Sequence, residues 1–185
     1  MKQSTPAARV QHLTATAIMS VLIAVCAWVT IPSAVPFTLQ TFGVFIALKL
    51  LGGTYGTLAI LVYILLGAVG LPVFSGFNGG FGVLLGPTGG YIGGFLLTGL
   101  LYKLFEKRLT NRWLEDAVLF AGLLLCYAFG TFRFVSVMGS RGSSMSWAQA
   151  LMLCVVPYLL PDLAKLVLAD LLAKKLRPML AKFVR

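Results

Sequence analysis

Asp162 and Lys165 stand three residues apart in the run VPYLLPDLAKLVLADLL, a spacing that puts both on one face of a helix. A carboxylate beside an ammonium offers an acceptor and a donor to one polar ligand; the same pair can also do no more than tie its helix to the neighbours. Counting back from Lys174 at about 1.5 Å per residue puts Asp162 roughly 18 Å and Lys165 roughly 14 Å from the charged tail. In a hydrocarbon core about 30 Å thick, both lie near the middle. A charge there costs at least about 2.5–3.5 kcal/mol and must face a partner. Pro157 and Pro161 precede the pair, and neither donates a backbone hydrogen bond. The expected result is a helix break just before Asp162, with the carbonyls of Leu153 and Pro157 freed to floor a polar pocket.

Few other residues offer chemistry. Gln40 and Thr41, in VPFTLQT, enter an apolar run and either line the same cavity or bond to neighbouring helices. Residues 70–94 hold ten of the twenty glycines and no charge. Irregular backbone at membrane depth survives only when buried in protein or lining a cavity, so this stretch is expected to fold back over the helices as a loop. Within it Asn78 offers a donor and an acceptor, and Tyr91 a ring face with a hydroxyl. The glycines lack the lysine of a phosphate-binding loop. Ser143, Ser144 and Ser146 lie far along the chain from the sole histidine, His12, which has no second ligand type nearby. A nucleophile with its base, a protease dyad, a metal site and a bound cofactor are therefore not expected. Arg133, between two phenylalanines, reads as a side chain reaching the membrane interface.

The elements that must hold these residues follow from composition. Of 185 residues, 59% are apolar and 11% charged, with mean hydropathy +0.94. That excludes an ordinary soluble domain. Apolar runs at about 13–31, 37–52, 54–71, 89–105, 117–138 and 147–173 predict a single all-α membrane domain over 1–185. It has six transmembrane helices, an uncleaved first one included, and the glycine-rich loop lies between the third and fourth. The formal charge of +10 would suggest nucleic acid in a soluble protein, but here it reports topology. With both termini in the cytoplasm, twelve of the fifteen cations fall on that side, Lys49 and the group around Lys103, Lys107, Arg108 and Arg112 among them. No nucleic-acid partner is expected.

The first span carries small residues at Ala17, Ser20, Ala24 and Ala27, a stripe that lets another helix come close, from this chain or from another protein. Cys26, Cys126 and Cys154 fall inside apolar segments without paired spacing and read as small core residues.

Three motifs together, IPSAVPFTLQT, LLGAVGLPVFSGFNGGFGVLLGPTGGY and VPYLLPDLAKLVLADLL, resemble the BioY family, the biotin-binding S components of energy-coupling factor transporters. The similarity covers about residues 13–173, and GPTGGY with its spacing from the downstream Asp and Lys is its specific part. The resemblance implies an outward-facing biotin pocket in a six-helix cell-membrane protein that is not an enzyme. It also implies a membrane T component and a pair of ABC-type ATPases as partners. Carried over by position, Asn78, Asp162 and Lys165 resemble the family positions associated with biotin, and Ala17, Ser20 and Ala24 resemble the surface used against the T component. The chain departs from the family pattern before the aspartate, where Leu160 and Pro161 replace a proline–glycine pair.

Overall fold

The computed structural model describes residues 6–142 and 145–183; Lys2, Ser143, Ser144 and Arg185 lie outside them. The described chain is largely helical. Its helices are α1 (Pro6–Trp28), α2 (Gln40–Ala68), α3 (Phe81–Leu85), α4 (Gly89–Phe105), α5 (Arg112–Ser140), α6 (Trp147–Cys154) and α7 (Val156–Phe183). A short antiparallel pair, β1 (Thr30–Ile31) and β2 (Phe37–Thr38), joins α1 to α2 with Thr30 opposite Thr38. Four helical stretches are long and apolar enough to cross a membrane: Ala8–Trp28, Gln40–Ala68, Arg112–Ser140 and Trp147–Met179.

The stretch Gln40–Ala68 does not run straight. Gly52 interrupts it at φ 73° and ψ −179°, a backbone state that an L side chain rarely adopts. The two arms then fold back on each other: Gln40 Nε2 donates to Tyr63 Oη at 2.8 Å, and a Cβ on Gly56 would sit 2.8 Å from Leu48 Cα. The chain thus turns where the apolar pattern broke, at residues 52–54. Glu106 Oε1 accepts from the Gly53 amide at 2.8 Å, placing negative charge at the start of the second arm.

Lipid tails are as apolar as leucine, so helices here are held by close packing and polar contacts. Along the α4–α5 seam, a Cβ on Gly94 would come 2.6 Å from Cys126 Sγ, and one on Gly130 would strike the Tyr91 ring. Thr98 Oγ1 donates across the same seam to the Gly122 carbonyl at 2.8 Å. Helix α1 packs on α2, with Gly43 against the Ile23 backbone.

The end of the bundle carrying the start of α1 and the end of α7 is tied by charge. Lys49, only 3% exposed, puts Nζ 2.6 Å from Asp116 Oδ1 and 2.8 Å from Asp170 Oδ1, joining α2 to α5 and α7. Arg177 pairs with Glu115 at 2.6 Å and donates to the Lys49 carbonyl. Lys49, counted above among the cations that mark the cytoplasmic side, is an internal tie rather than a surface charge. Lys49→Met leaves Asp116 and Asp170 as uncompensated neighbours, so it should cost about 3–5 kcal/mol. Thermal unfolding of the purified protein should show a clear drop in Tm, whereas Lys107→Met, at an exposed position, should shift it little.

Candidate ligand-binding site

Asp162 reaches the centre of the bundle on an unbroken stretch of α7. The interruption expected just before it lies at Val155, where φ −124° and ψ −56° separate α6 from α7. Pro157 occupies the first turn of α7, where its missing N–H has no helical acceptor to lose, and Pro161 is carried inside the helix. From this stretch Tyr158, Asp162 and Lys165 all line one cavity.

Both carboxylate oxygens of Asp162 are engaged, and residues of α2, α5 and α7 share the task. Oδ1 accepts from Thr41 Oγ1 at 2.8 Å and from Lys165 Nζ at 2.6 Å; Oδ2 accepts from Tyr127 Oη at 2.5 Å. Lys165 also donates to the Thr38 carbonyl at 2.6 Å and lies 4.3 Å from the centroid of the Phe37 ring. Asp162 and Lys165 are 3% and 5% exposed, so the pair sits in a medium where charge-assisted hydrogen bonds are strong.

The pair forms one side of a cavity with about 630 Å³ of empty space, its open mouth and adjoining solvent included. Tyr91, Ile92 and Phe95 of α4, Cys126 and Tyr127 of α5, and Cys154 of α6 supply apolar and aromatic walls. Gln40 and Thr41 line it from α2. Val35 and Pro36 line it from the β1–β2 turn, which is pinned to α7 because the Tyr158 hydroxyl donates to the Val35 carbonyl; the Ser33 hydroxyl donates to the same carbonyl from within the turn. The glycine-rich stretch adds Ser75 and Thr88. It is anchored by Phe74, 1% exposed, whose ring lies where a Cβ on Gly67 would fall, and by Trp28 Nε1 donating to the Pro72 carbonyl at 2.8 Å.

The structure brings Gln40, Tyr91, Asp162 and Lys165 to one cavity. Tyr91 bonds through its hydroxyl to Thr131 at 3.0 Å and presents its ring. Asn78 is not among the lining residues: it is exposed, and its amide donates to the Ser75 carbonyl at 2.8 Å. The small-residue stripe of α1 is split. Ser20 and Ala24 are 2% and 4% exposed and buried within this chain, while Ala17 is exposed alongside Leu13, Ile18, Val21 and Val25. Spacing could not resolve this, because small residues serve contacts inside and between chains alike. Arg133 donates from Nη2 to the Leu85 carbonyl at 2.8 Å, holding α3 to α5. Ser146 is the N-cap of α6, in a capping box with Gln149.

Tyr127, Thr38 and Tyr158 were not singled out from the sequence. Tyr127 had a usable signal, a hydroxyl in the middle of the apolar run GLLLCYAFG. Thr38 acts through its main-chain carbonyl, which no residue type announces.

The chain matches the profile of the BioY family over residues 1–182. It is 45% identical over 163 residues to the biotin transporter BioY of Thermotoga maritima, an alignment covering 86% of this chain and 92% of that protein. It is 38% identical over 143 residues to a probable biotin transporter BioY of Pyrococcus horikoshii, covering 77% and 81%. The crystal structure of the S-component for biotin from an ECF-type ABC transporter superposes with a TM-score of 0.83 at 30% identity, covering 94% of each chain. With a profile match along almost its whole length and a relative this similar, the chain belongs to the BioY family.

Proposed function

We propose that this protein is the substrate-binding S component of an energy-coupling factor transporter, capturing biotin in the cavity beside Asp162. The observation that carries the reading is the carboxylate–ammonium contact of 2.6 Å set in an otherwise apolar and aromatic pocket. The ureido group of biotin places N–H donors next to a carbonyl acceptor, so one such group matches both partners of that contact. The fused rings suit the Tyr91, Phe95 and Ile92 wall. Lys165 is the one cationic residue among those lining the cavity and is committed to the Asp162 end, so the ligand's carboxylate tail points to the mouth and water. Gln40 and Tyr91 serve as orienting walls. Asn78 serves by shaping the Ser75 turn.

Six membrane spans are supported by the two folded-back arms of α2 together with α1, α4, α5 and the α6–α7 stretch. The glycine-rich segment between the third and fourth closes over the outer mouth. Cations outnumber carboxylates at the end carrying Lys103, Lys107, Arg108 and Arg112, which favours a cell-membrane protein with that end and both termini in the cytoplasm. The chain has no phosphate-binding Gly–Lys motif, so ATP-driven uptake requires a T component and ABC-type ATPases. The exposed face of α1 at Ala17, Ile18 and Val21 is the surface offered to the T component; Ser20 and Ala24 support it from beneath.

A different reading is favoured by the full set of bonds on Asp162, which satisfies the carboxylate from this chain's own side chains. In that reading the pair only ties helices. Titration calorimetry with biotin separates the two. Asp162→Asn and Lys165→Met should each weaken binding by about 10- to 100-fold, the worth of a charged hydrogen bond. The methyl ester of biotin should bind the wild type within a few-fold of the acid. Variants that lower Tm but keep full biotin affinity would assign the pair to structure alone, and a large loss with the ester would move Lys165 to the carboxylate tail.

Orientation has its own test, made simple because Cys26, Cys126 and Cys154 are buried. In intact cells a membrane-impermeant maleimide should label Phe77→Cys and should reach Lys107→Cys only after permeabilisation. The reverse pattern would invert the topology.

A further inference from the structure

At the end of the bundle opposite the biotin cavity, a recess opens between the start of α5 and the last turns of α7. It is lined by Arg112, Asp170, Ala173, Lys174 and Arg177 and encloses about 700 Å³ of empty space, its open mouth included. Three of its five lining residues are cations. Its one carboxylate is largely spent, because Asp170 Oδ1 already accepts from Lys49 at 2.8 Å. Arg112 stands 3.9 Å from Asp170 Oδ2, too far for a hydrogen bond, with half of its side chain exposed. Lys174 is exposed and makes no ion pair or hydrogen bond among the described residues. Arg177 is fastened from below by Glu115 and the Lys49 carbonyl, which fixes its guanidinium as part of the wall.

The surroundings place this recess at the edge of a bilayer. Trp113, 72% exposed, lies beside it with the Arg112 guanidinium 5.4 Å from its ring. Exposed tryptophans of this kind mark the headgroup level. One α7 turn from Asp170 towards the middle of the bundle, and on the same side of the helix, Val167 is exposed and apolar. A ligand here meets cations at one end and hydrocarbon at the other. Free arginine donors in a fork suit the oxygens of a phosphodiester, and lysine adds a point charge.

We propose that the Arg112–Lys174 recess binds the phosphate headgroup of an anionic phospholipid such as phosphatidylglycerol, fastening the start of α5 and the last turns of α7 to the membrane surface. This goes beyond biotin capture and holds whichever side of the membrane the recess faces.

The test uses the full chain in lipid nanodiscs of phosphatidylcholine doped with either brominated phosphatidylglycerol or brominated phosphatidylcholine, reading quenching of tryptophan fluorescence, with Trp113→Phe identifying the local signal. Wild type should be quenched preferentially by the brominated phosphatidylglycerol. Arg112→Gln with Lys174→Gln should lower that preference by about 30-fold, at roughly 1 kcal/mol per cation. Lys107→Gln with Arg108→Gln, the same charge change on the same end, should keep it. Biotin affinity serves as the readout of folding for all variants. The proposal is overturned by equal quenching from both lipids in the wild type, by equal loss in both double variants, or by displacement with inorganic phosphate at constant ionic strength, which would assign the site to a free anion. Should the first double variant fail to bind biotin, the single Lys174→Gln carries the test, with about a fivefold loss expected and an unchanged preference counting against the site.

Discussion

A carboxylate in the middle of an apolar bundle has to be neutralised on the spot, and the architecture around the cavity follows from how Asp162 meets that demand. Its oxygens draw Thr41 from α2, Tyr127 from α5 and Lys165 from its own helix into one cluster. Lys165 in turn reaches the Thr38 carbonyl, which fixes the end of the β1–β2 turn above the cavity. A few hydrogen bonds thus position the floor, a wall and part of the lid. Hydrophobic burial cannot do this in lipid, since an apolar side chain gains little by leaving one hydrocarbon for another.

The second charged cluster obeys the same rule at the other end of the α2–α7 contact. Lys49 and Asp170 lie eight residues beyond Thr41 and Asp162 on their respective helices, about 12 Å along each axis. Between the clusters the seam is filled by packed apolar side chains such as Phe45, Leu48 and Leu166. Both ties draw their partners from this chain, and each lies beside a recess: Asp162 and Lys165 line the largely apolar and aromatic cavity, and Asp170 lines the cationic one.

Glycine contributes in two separate ways. At Gly52 a positive φ lets a continuous apolar run turn back into two arms. At Gly67, Gly94 and Gly130 the absence of a side chain lets Phe74, Cys126 and Tyr91 pack against backbone, and the Tyr91 ring reaches the cavity wall because Gly130 gives it room. The glycine-rich stretch itself is held by one buried aromatic anchor, Phe74, and by Trp28 from α1.

The sequence by itself determined the class of the protein, the positions of the apolar runs, the break at residues 52–54 and the pairing of Asp162 with Lys165. Those follow from composition, from 3.6-residue periodicity and from the cost of charge in hydrocarbon, all of which are local or summed properties. Only the tertiary structure decided which polar residues converge. It brought Tyr127 to Asp162 and the Thr38 carbonyl to Lys165, turned Asn78 outward onto Ser75, buried Ser20 and Ala24 while leaving Ala17 exposed, and placed the α6–α7 interruption at Val155. It also drew Lys49 out of the count of surface cations and into the bundle. The convergence on Asp162 and Lys165 and the placing of Lys49 depend on the rotation and depth of one helix against another, set by contacts more than twenty residues apart in the chain, and no local pattern encodes that choice.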